Sequence, residues 1–515
     1  MDNDVAPSHP SDQAGLSGAK LLAACLAIGM GNFLVVLDTT IANVSVPTIA
    51  GGLGVSPTQG TWVITAYAVA EAITVPLTGF LSKRFGAMRL FIACYLAFAV
   101  VSLFCGVANS MSALIAGRVL LGLVGGPIMP LSQLLLLRVA PKNMVTPVTI
   151  LWAMTTLVAP VVGPILGGII CDDYGWPWIF YIKVPIALAG GLATLMLLRG
   201  QPDPTEQARI DTMGLGLLVL WVGALQIMLD EGRNHDWFAA GEIRWLAVIS
   251  VISFVAFLIW ELTEKHPIVD LRIFRYRGFT AAAVTYAVGF GAFFGTIVLL
   301  PLWLQQNMGY TATWAGYATG MMGILAVACA PLVGKAVQHV DPRLIIFLGI
   351  IGIGLSNVWR MGFNSDVTFI QIGLTTLVMG PFMVMFFVPV TGLAMASVAP
   401  EEQANAAGLS NFMRTLSGAF ATSLVQTGWS NAMRADNTEL ASAMKYGEQT
   451  IDEMVSHEVP YDRAVAGLDM MVQGQSLMLA TLHMFAVLAL AFAFAALLIW
   501  IAPRPKGPID TSGAH

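Results

Sequence analysis

Residues 79–108 read GFLSKRFGAMRLFIACYLAFAVVSLFCGVA, a short basic stretch followed by nineteen residues, Leu90 to Ala108, without a charged side chain. A helix rises about 1.5 Å per residue, so roughly 20 apolar residues cross the ~30 Å of hydrocarbon in a bilayer. Comparable blocks recur along the 515 residues, which are 57% hydrophobic and 11% charged and have a mean hydropathy of +0.76. A soluble chain of this length needs far more charge to cover its surface. The sequence therefore predicts an all-α polytopic membrane protein.

The apolar blocks predict fourteen membrane-spanning helices. Inner loops of membrane proteins are enriched in Lys and Arg. With the N-terminus inside, sixteen of the 25 Lys and Arg residues fall in inner loops and six, including Arg360, in outer loops. This bias predicts that both termini are cytoplasmic. The expected spans are 21–46, 61–81, 88–108, 112–137, 147–170, 178–198, 213–229, 243–262, 279–304, 312–333, 343–361, 367–395, 404–428 and 476–501.

Two similar loops indicate an internal repeat. Residues 79–89 join spans two and three, and residues 334–343 join spans ten and eleven in the same way. Repeated halves are typical of transporters that bind their substrate between the halves. Spans seven and eight are then an inserted pair. The expected segments are a tail (1–20), an N-terminal six-helix bundle (21–200), two inserted linker helices (211–262), C-terminal bundle helices nine to thirteen (277–430), an acidic outer loop (431–475), helix fourteen (476–502) and a tail (503–515).

The expected outer loop at 431–475 carries eight acidic residues against three basic ones. Its apolar residues are too scattered for a core, which favours a partly ordered surface segment. Two interpretations stay open. The loop is either a solvated connector or a docking surface for a partner outside the cytoplasm.

Five charged residues fall within the expected spans more than two residues from either end: Asp38, Glu71, Arg118, Lys183 and Arg414. A charge at the centre of a membrane helix costs at least ~2.5–3.5 kcal/mol, so these side chains should face a cavity or one another. A carboxyl group whose charge burial opposes and nearby cations favour can bind and release a proton. We therefore predict proton coupling at Asp38, Glu71 and Arg118, with Lys183 as charge partner and Arg414 as a structural residue. A static ion pair at Asp38, and attraction of cationic substrates by Glu71, are the alternatives.

Methionine and phenylalanine residues within the spans predict a roomy, mainly apolar substrate cavity. Thioethers and aromatic rings adapt to many apolar shapes. Few amide or paired basic side chains accompany them, which argues against sugars or phosphates as substrates. The expected lining residues are Asn43, Tyr67, Thr74, Gln133, Trp152, Phe293, Phe294, Met379, Phe382 and Met383.

Residues 159–168 read APVVGPILGG and predict a close contact between helices at which the two bundles can move relative to each other. Pro160 and Pro164 remove helix hydrogen-bond donors, while Gly163, Gly167 and Gly168 let a neighbouring helix approach closely. Rocking between two bundles requires such a contact. The chain shows no metal-ligand spacing, no catalytic constellation and no nucleotide-binding Gly-x-x-x-x-Gly-Lys-Ser/Thr loop. We therefore expect a proton gradient, and no cofactor, to drive its activity.

Four motifs carry a resemblance to a known family: LDTTIANVSVP (37–47), GFLSKRFGAMRL (79–90), RVLLGLVGGP (118–127) and GPILGG (163–168). They resemble signatures of the major facilitator superfamily, and within it of the fourteen-helix drug:proton antiporters. Residues 176–180, 266–270 and 411–414 and Trp152 resemble its EmrB-like branch. The resemblance implies two six-helix bundles plus two inserted helices. It also implies conformational roles for the superfamily loop (Gly79, Arg84, Gly86, Arg89), for the span-five residues Pro160, Gly163, Pro164, Gly167 and Gly168, and for Arg414.

The function implied by the resemblance is proton-coupled efflux of hydrophobic compounds across a bacterial inner membrane by alternating access. The implied partners are small hydrophobic or amphipathic drugs, protons and membrane lipids, rather than nucleic acid. A periplasmic adaptor similar to EmrA and an outer-membrane channel similar to TolC are also implied. Export of lipids or fatty acids is the alternative, and a non-transporting membrane receptor is a remote one.

Three residues depart from the family pattern. Ser82 stands where the superfamily loop usually has an acid, Glu71 where an uncharged polar residue is usual, and Lys183 where asparagine is typical. Glu71 and Lys183 either form a charge pair with each other or reflect a different substrate.

Overall fold

The computed structural model describes residues 18–60, 62–141, 144–205, 211–232, 237–265, 267–399, 402–443, 447–457 and 460–504. His266, the tails 1–17 and 505–515 and the side chain of Asn43 lie outside this description. No strand occurs in these ranges, and short 3-10 helices lie at Trp237–Ala239, Leu271–Arg275 and Ile499–Ile501. The α-helices are α1 (Gly18–Gly52), α2 (Pro57–Gly60), α3 (Trp62–Phe85), α4 (Ala87–Gly106), α5 (Met111–Gly125), α6 (Ile128–Val139), α7 (Val145–Asp173), α8 (Trp178–Tyr181), α9 (Lys183–Leu197), α10 (Thr212–Glu231), α11 (Gly241–Thr263), α12 (Arg277–Gln306), α13 (Ala312–Gly320), α14 (Met322–His339), α15 (Pro342–Arg360), α16 (Phe369–Ala396), α17 (Gln403–Ala443), α18 (Gly447–Ser456) and α19 (Tyr461–Leu498).

Twelve stretches of the described chain are long and apolar enough to cross a membrane, judged by length and composition. They coincide with twelve of the fourteen expected spans. The other two expected spans, 147–170 and 404–428, coincide with α7 and α17, which are 29 and 41 residues long. Three expected spans are each divided into two helices: α5 with α6, α8 with α9, and α13 with α14. The second of these divisions places Lys183 at the first position of α9.

The helices pack into two bundles. In the N-terminal bundle α1 packs on α7 and α9, α3 on α5, and α4 on α9. In the C-terminal bundle α12 packs on α17 and α19, α15 on α16 and α19, and α14 on α16. The bundles meet where α7 packs on α13 and where α3 packs on α17. The inserted helices α10 and α11 pack on each other, and α10 also contacts α3 and α17.

The turn between α3 and α4 depends on a glycine and an acid from a distant segment. Gly86 has φ of +88°, a region that residues with a Cβ rarely adopt. The backbone N–H groups of Met88 and Arg89 donate to the Asp203 carboxylate at 3.2 and 3.0 Å, and a Cβ at Gly86 would overlap that carboxylate. Ser82 instead donates to the Gly79 carbonyl at 2.9 Å. The acid that stabilises this loop is therefore Asp203, at the N-terminus of α4.

The turn between α14 and α15 is the repeated counterpart and uses a local acid. Asp341 accepts from the backbone N–H of Arg343 at 3.0 Å and from its Nη2 at 2.8 Å. These hydrogen bonds lower the pKa of the Asp341 carboxyl. Arg343 also donates to the Ala502 carbonyl at 3.0 Å, which connects the turn to the end of the last helix.

The segment 431–475, expected to be a partly ordered loop, is largely helical. Helix α17 continues to Ala443 because residues 429–443 contain no glycine or proline to end it. Helix α18 follows, and α19 begins at Tyr461, well before the expected start of span fourteen. Trp429 Nε1 donates to Thr481 Oγ1 at 2.9 Å, which holds α17 against α19. The acidic residues of this segment therefore lie mostly on helices.

Candidate transport site

A buried acid lies between two buried cations inside the N-terminal bundle. Asp38 on α1 is 1% exposed, and Arg118 on α5 and Lys183 on α9 are fully buried. Arg118 Nη1 donates to Asp38 Oδ2 at 2.5 Å, and Lys183 Nζ donates to Asp38 Oδ1. We call these three residues the Asp38 triad. With all three ionised, the triad carries a net charge of +1.

Neighbouring helices hold both cations in place. Arg118 Nε donates to the Val63 carbonyl at 2.7 Å, and its guanidinium lies 4.4 Å from the centre of the Tyr67 ring. Lys183 Nζ lies 4.5 Å from the centre of the Phe180 ring. Aromatic faces attract cations, and this attraction is stronger where water is excluded. The surroundings therefore stabilise both positive charges beside one carboxylate.

A cavity lies next to the triad, between the two bundles. Helices α1, α3 and α7 line it from one bundle, α12, α16 and α17 from the other, and α10 from the inserted pair. It encloses about 1340 Å³ of empty space, counting the part that is open to solvent. Phe290 and Phe294 stack at 5.7 Å, and Phe293 meets Phe387 edge-on at 5.2 Å. Four phenylalanine rings contribute to the lining, together with threonine, serine and glutamine side chains.

Glu71 and Arg414 are the two charged side chains among the residues that line this cavity. They come from opposite bundles, on α3 and α17. Arg414 Nη2 donates to Met129 Sδ at 2.9 Å, its guanidinium lies 5.1 Å from the Phe290 ring centre, and its Nε has no hydrogen-bond partner. No ion pair within the described ranges involves Glu71. Arg414, expected to be structural, therefore faces the cavity with part of its hydrogen-bonding capacity unused.

Most of the chain matches one known protein family. The sequence profile of the Major Facilitator Superfamily matches residues 28–422. This protein belongs to the major facilitator superfamily. The match confirms the recognition made from the motifs and, with the helical architecture, the predicted fold class. Membership also makes the protein a membrane transporter rather than an enzyme.

Three relatives of this superfamily member share nearly its whole length. It is 41% identical over 500 residues to the multidrug export protein EmrB of Escherichia coli (strain K12). It is 39% identical over 497 residues to EmrB of Haemophilus influenzae, and 38% identical over 498 residues to the fatty acid resistance protein FarB of Neisseria gonorrhoeae. Each alignment covers 96% of this chain and 98% of the relative.

The expected cavity residues of this superfamily member divide into two groups. Phe293, Phe294 and Met383 line the cavity, as does Pro160 from the span-five motif. The rest of the expected set with described side chains is not among the lining residues. Met379 lies in the C-terminal core, and Phe382 packs on Gly352. Gln133 is half-buried on α6, and Trp152 donates to Ser132 Oγ at 2.9 Å. Tyr67 and Thr74 pack between helices.

Tyr67, Glu71, Thr74 and Thr78 form a polar stripe along one face of α3, but of these four residues only Glu71 lines the cavity. A Cβ at Gly125 would lie 3.0 Å from Tyr67 Oη, and one at Gly126 would lie 3.1 Å from Thr74 Cβ. Because these glycines lack side chains, α3 approaches α5 and α6 closely and buries the stripe. Tyr67, which contacts Arg118, lies one turn before Glu71. Helix α3 thus joins the Asp38 triad to the cavity.

The glycine motif of α7 forms close helix contacts. A Cβ at Gly163 would overlap the Thr40 hydroxyl of α1, and one at Gly167 would lie 3.3 Å from the Ile41 carbonyl oxygen. Gly168 is also buried. Pro164 instead meets the other bundle, because a Cβ at Gly316 of α13 would lie 2.8 Å from its carbonyl oxygen. These residues therefore pack α7 on α1 and on α13.

The bundles also touch at both ends of the cavity. At the end that carries Gly86, a Cβ at Gly79 would lie 3.0 Å from Asn405 Oδ1 of α17. At the opposite end, Thr313 Oγ1 donates to Asp172 Oδ2 at 2.8 Å, connecting α13 to α7. Arg84 and Arg89 of the superfamily loop lie beyond the first contact; the Arg84 guanidinium is 5.9 Å from the Phe85 ring centre.

We expect Gly316→Ala to separate α7 from α13. The new methyl group would meet the Pro164 backbone, which cannot move aside as a side chain can, and overpacking of this kind costs about 1–3 kcal/mol. In an otherwise cysteine-free protein carrying Asp172→Cys and Thr313→Cys, the yield of the disulfide between α7 and α13 should fall. Gly392→Ala is the matched control, because nothing lies within 4 Å of a Cβ at Gly392. An undiminished yield would contradict the close contact.

Two charged residues at the ends of expected spans are buried, which the sequence did not predict. Arg360, counted with the outer loops, is fully buried and donates to Thr375 Oγ1 and Thr376 Oγ1, both at 3.2 Å. Glu261 on α11 is also fully buried, and its Oε2 accepts from the Val269 N–H at 3.1 Å. Both residues lie near helix ends, where hydropathy alone does not separate a loop residue from a buried one.

Proposed function

We propose that this protein exports hydrophobic and amphipathic drugs in exchange for protons by alternating access. The observation that carries the proposal is the Asp38 triad, a buried and protonatable charge cluster placed beside a cavity between two bundles. Burying a charge at such a depth in the membrane costs free energy, so charged residues there usually have a function. The relatives named for multidrug export support the same activity here.

Proton exchange in this proposal takes place at Asp38 and Lys183. Arginine stays charged in proteins, so Arg118 holds the carboxylate while the other two groups can change protonation. Loss of one proton from Lys183 leaves a neutral Asp38–Arg118 pair, and gain of one by Asp38 raises the triad charge to +2. Each change alters the attraction between α1, α5 and α9. Protonation is thereby coupled to the packing of the bundle that lines the cavity.

In this proposal Glu71 is the cavity charge that selects cationic compounds. It lines the cavity one turn away from Tyr67, which lies against Arg118. The charges of Arg414, Asp38 and Arg118 all act on it. A substrate that enters the cavity can therefore change the electrostatic balance of the triad through α3 without touching Asp38.

We propose that the protein lies in a bacterial inner membrane with its Gly86 end on the cytoplasmic side, which the Lys and Arg bias supports. Drug then enters the cavity from the cytoplasm or the membrane and leaves on the other side. The acidic helices of 431–475 project on that outer side. We propose that they contact a periplasmic adaptor similar to EmrA, which would connect the transporter to a channel similar to TolC.

Export of fatty acids or lipids is the second candidate function. Arg414 favours it, because its Nε lacks a partner and its guanidinium lies beside the aromatic lining, where a carboxylate with an alkyl chain would fit. The relative named for fatty acid resistance also supports it. The two candidates share one cavity and differ in which compounds compete for it.

The test is a proton-flux assay in everted membrane vesicles that contain the protein. In respiring vesicles, hydrophobic drugs should release protons from the acidified lumen, and drug should accumulate there until a protonophore collapses the gradient. Accumulation of labelled long-chain fatty acid, with drugs failing to compete, would favour the second candidate. Absence of drug-dependent proton release across the compound panel would overturn the proposal.

A further inference from the structure

The inserted helix α10 is attached to both bundles at once. Trp62 Nε1 on α3 donates to Glu231 Oε1 at 2.7 Å. Ser423 Oγ on α17 donates to the Leu229 carbonyl at 2.5 Å. These two hydrogen bonds place the last turn of α10 over the line where α3 and α17 meet. The inserted pair is therefore packed against the transport path rather than set apart at the periphery.

Helix α10 also supplies part of the cavity lining. Gln226 and Leu229, three residues apart and so on one face of the helix, both line the cavity. Nearer the start of the same helix, the Trp221 ring meets the Phe412 ring of α17 edge-on, with the ring centres 5.9 Å apart. Ser250 of α11 donates to the Trp221 carbonyl at 3.2 Å, which fixes α11 behind α10. The cavity is thus incomplete without α10.

The side-chain amide of Gln226 has an unpaired hydrogen-bond donor. Its side chain is 4% exposed, and its Nε2 has no hydrogen-bond partner. On α17, Thr415 and Thr427 line the same cavity, and their buried hydroxyls likewise have no partner. A buried polar group left without a partner is costly, so such groups accumulate where a ligand supplies the missing partner. Together with Arg414 Nε, four such groups on residues around one cavity indicate that the transported molecule brings hydrogen-bonding atoms.

We propose that Gln226 is a specificity-determining residue that donates a hydrogen bond to an acceptor oxygen of the transported compound. The compounds it selects are hydrophobic molecules with a carbonyl group, such as aryl ketones and amides. The apolar part lies against the phenylalanines of α12 and α16, and the acceptor points to α10. This inference rests on the proposed export function and adds a residue from the inserted pair to it.

A glutamine suits this role because its amide can both donate and accept. A site built to hydrogen-bond a substrate discriminates strongly against an analogue that lacks the bonding atom, because the buried amide is then left unpaired. Packing against Leu229 and the phenylalanines contributes to the binding of compounds with and without the acceptor oxygen. Gln226 therefore sets preference among hydrophobic compounds and is not required for transport itself.

The test is Gln226→Met, which keeps the length of the side chain and removes the amide. Two fluorescent compounds are compared that share one ring system, one with a ketone and the other with a methylene in its place. We expect the concentration for half-maximal transport of the ketone to rise about tenfold, the value of one well-made hydrogen bond. The value for the methylene compound should change less than about twofold.

Gln305→Met is the matched control. Gln305 lies on α12, its Nε2 already donates to the Pro301 carbonyl at 3.2 Å, and it does not line the cavity. The control should leave both compounds unaffected. The thermal midpoint of Gln226→Met should not fall below that of wild type, because the change removes an unsatisfied buried donor. Gln226→Leu carries the same expectations should the methionine variant express poorly.

Equal loss for the ketone and the methylene compound would make Gln226 a structural residue and overturn the inference. Unchanged transport of both would do the same. Failure of the wild type to transport either compound would contradict the proposed function instead, and the two failures are therefore distinguishable.

Discussion

Asp38→Asn is expected to abolish drug-driven proton release and to destabilise the protein. Asp38 is the carboxylate that both Arg118 and Lys183 contact, and all three side chains are buried. Removing one partner from a buried ion pair costs about 3–5 kcal/mol because the remaining charge is uncompensated. Exchange in everted vesicles should fall at least ~100-fold, since the group proposed to bind the proton is gone. The thermal midpoint of the purified protein should fall as well.

A double variant separates the loss of coupling from the loss of stability. In Asp38→Asn with Lys183→Met, one cation is removed together with the anion, and the site again carries a net charge of +1. We expect this variant to recover much of the lost thermal stability but none of the exchange. Lys183→Met alone leaves the Asp38–Arg118 pair neutral and should fold well. Recovery of exchange in the double variant would exclude Asp38 as the coupling residue.

The sequence was sufficient to predict the fold and to predict that the charged side chains within the spans face one another or a cavity, for a physical reason. Apolar blocks of membrane-spanning length have few structural solutions, and charges at similar depths in such blocks must find one another. Asp38, Arg118 and Lys183 all lie in the half of the membrane opposite Gly86 by simple counting along the helices. Which acid Lys183 contacts was not predictable. It pairs with Asp38, and Glu71 faces the cavity instead, because lateral position depends on how α3 and α9 pack.

The cavity lining was predicted less well because residue type does not determine which face of a helix meets the other bundle. Phe293 and Met383 line the cavity, whereas Met379, one turn away from Met383, lies in the core. Tyr67 was misplaced because its helix packs on glycines that make burial of a polar stripe feasible. Gln226 was overlooked because α10 was interpreted as an insertion, and only tertiary packing shows that it completes the cavity.

Glu71→Gln is expected to reduce export of cationic drugs far more than export of neutral ones. Glu71 and Arg414 are the charged residues among those that line the cavity, so the substitution leaves a cation there without its opposite charge. At an effective dielectric constant of ~20, a unit charge ~6 Å away contributes about 3 kcal/mol. We therefore expect about 10- to 100-fold weaker transport of monovalent cationic dyes and a change below about threefold for neutral compounds. The measurement is dye accumulation in everted vesicles.

Glu261→Gln is the matched control, because Glu261 is a buried glutamate on α11 that contacts Val269 and does not line the cavity. It should leave the ratio of cationic to neutral transport unchanged. Equal loss of both compound classes in Glu71→Gln would contradict a role in cation selection. Glu71 would then act in proton coupling, because a coupling group limits every substrate alike, whereas a charge in the cavity discriminates among substrates by their charge.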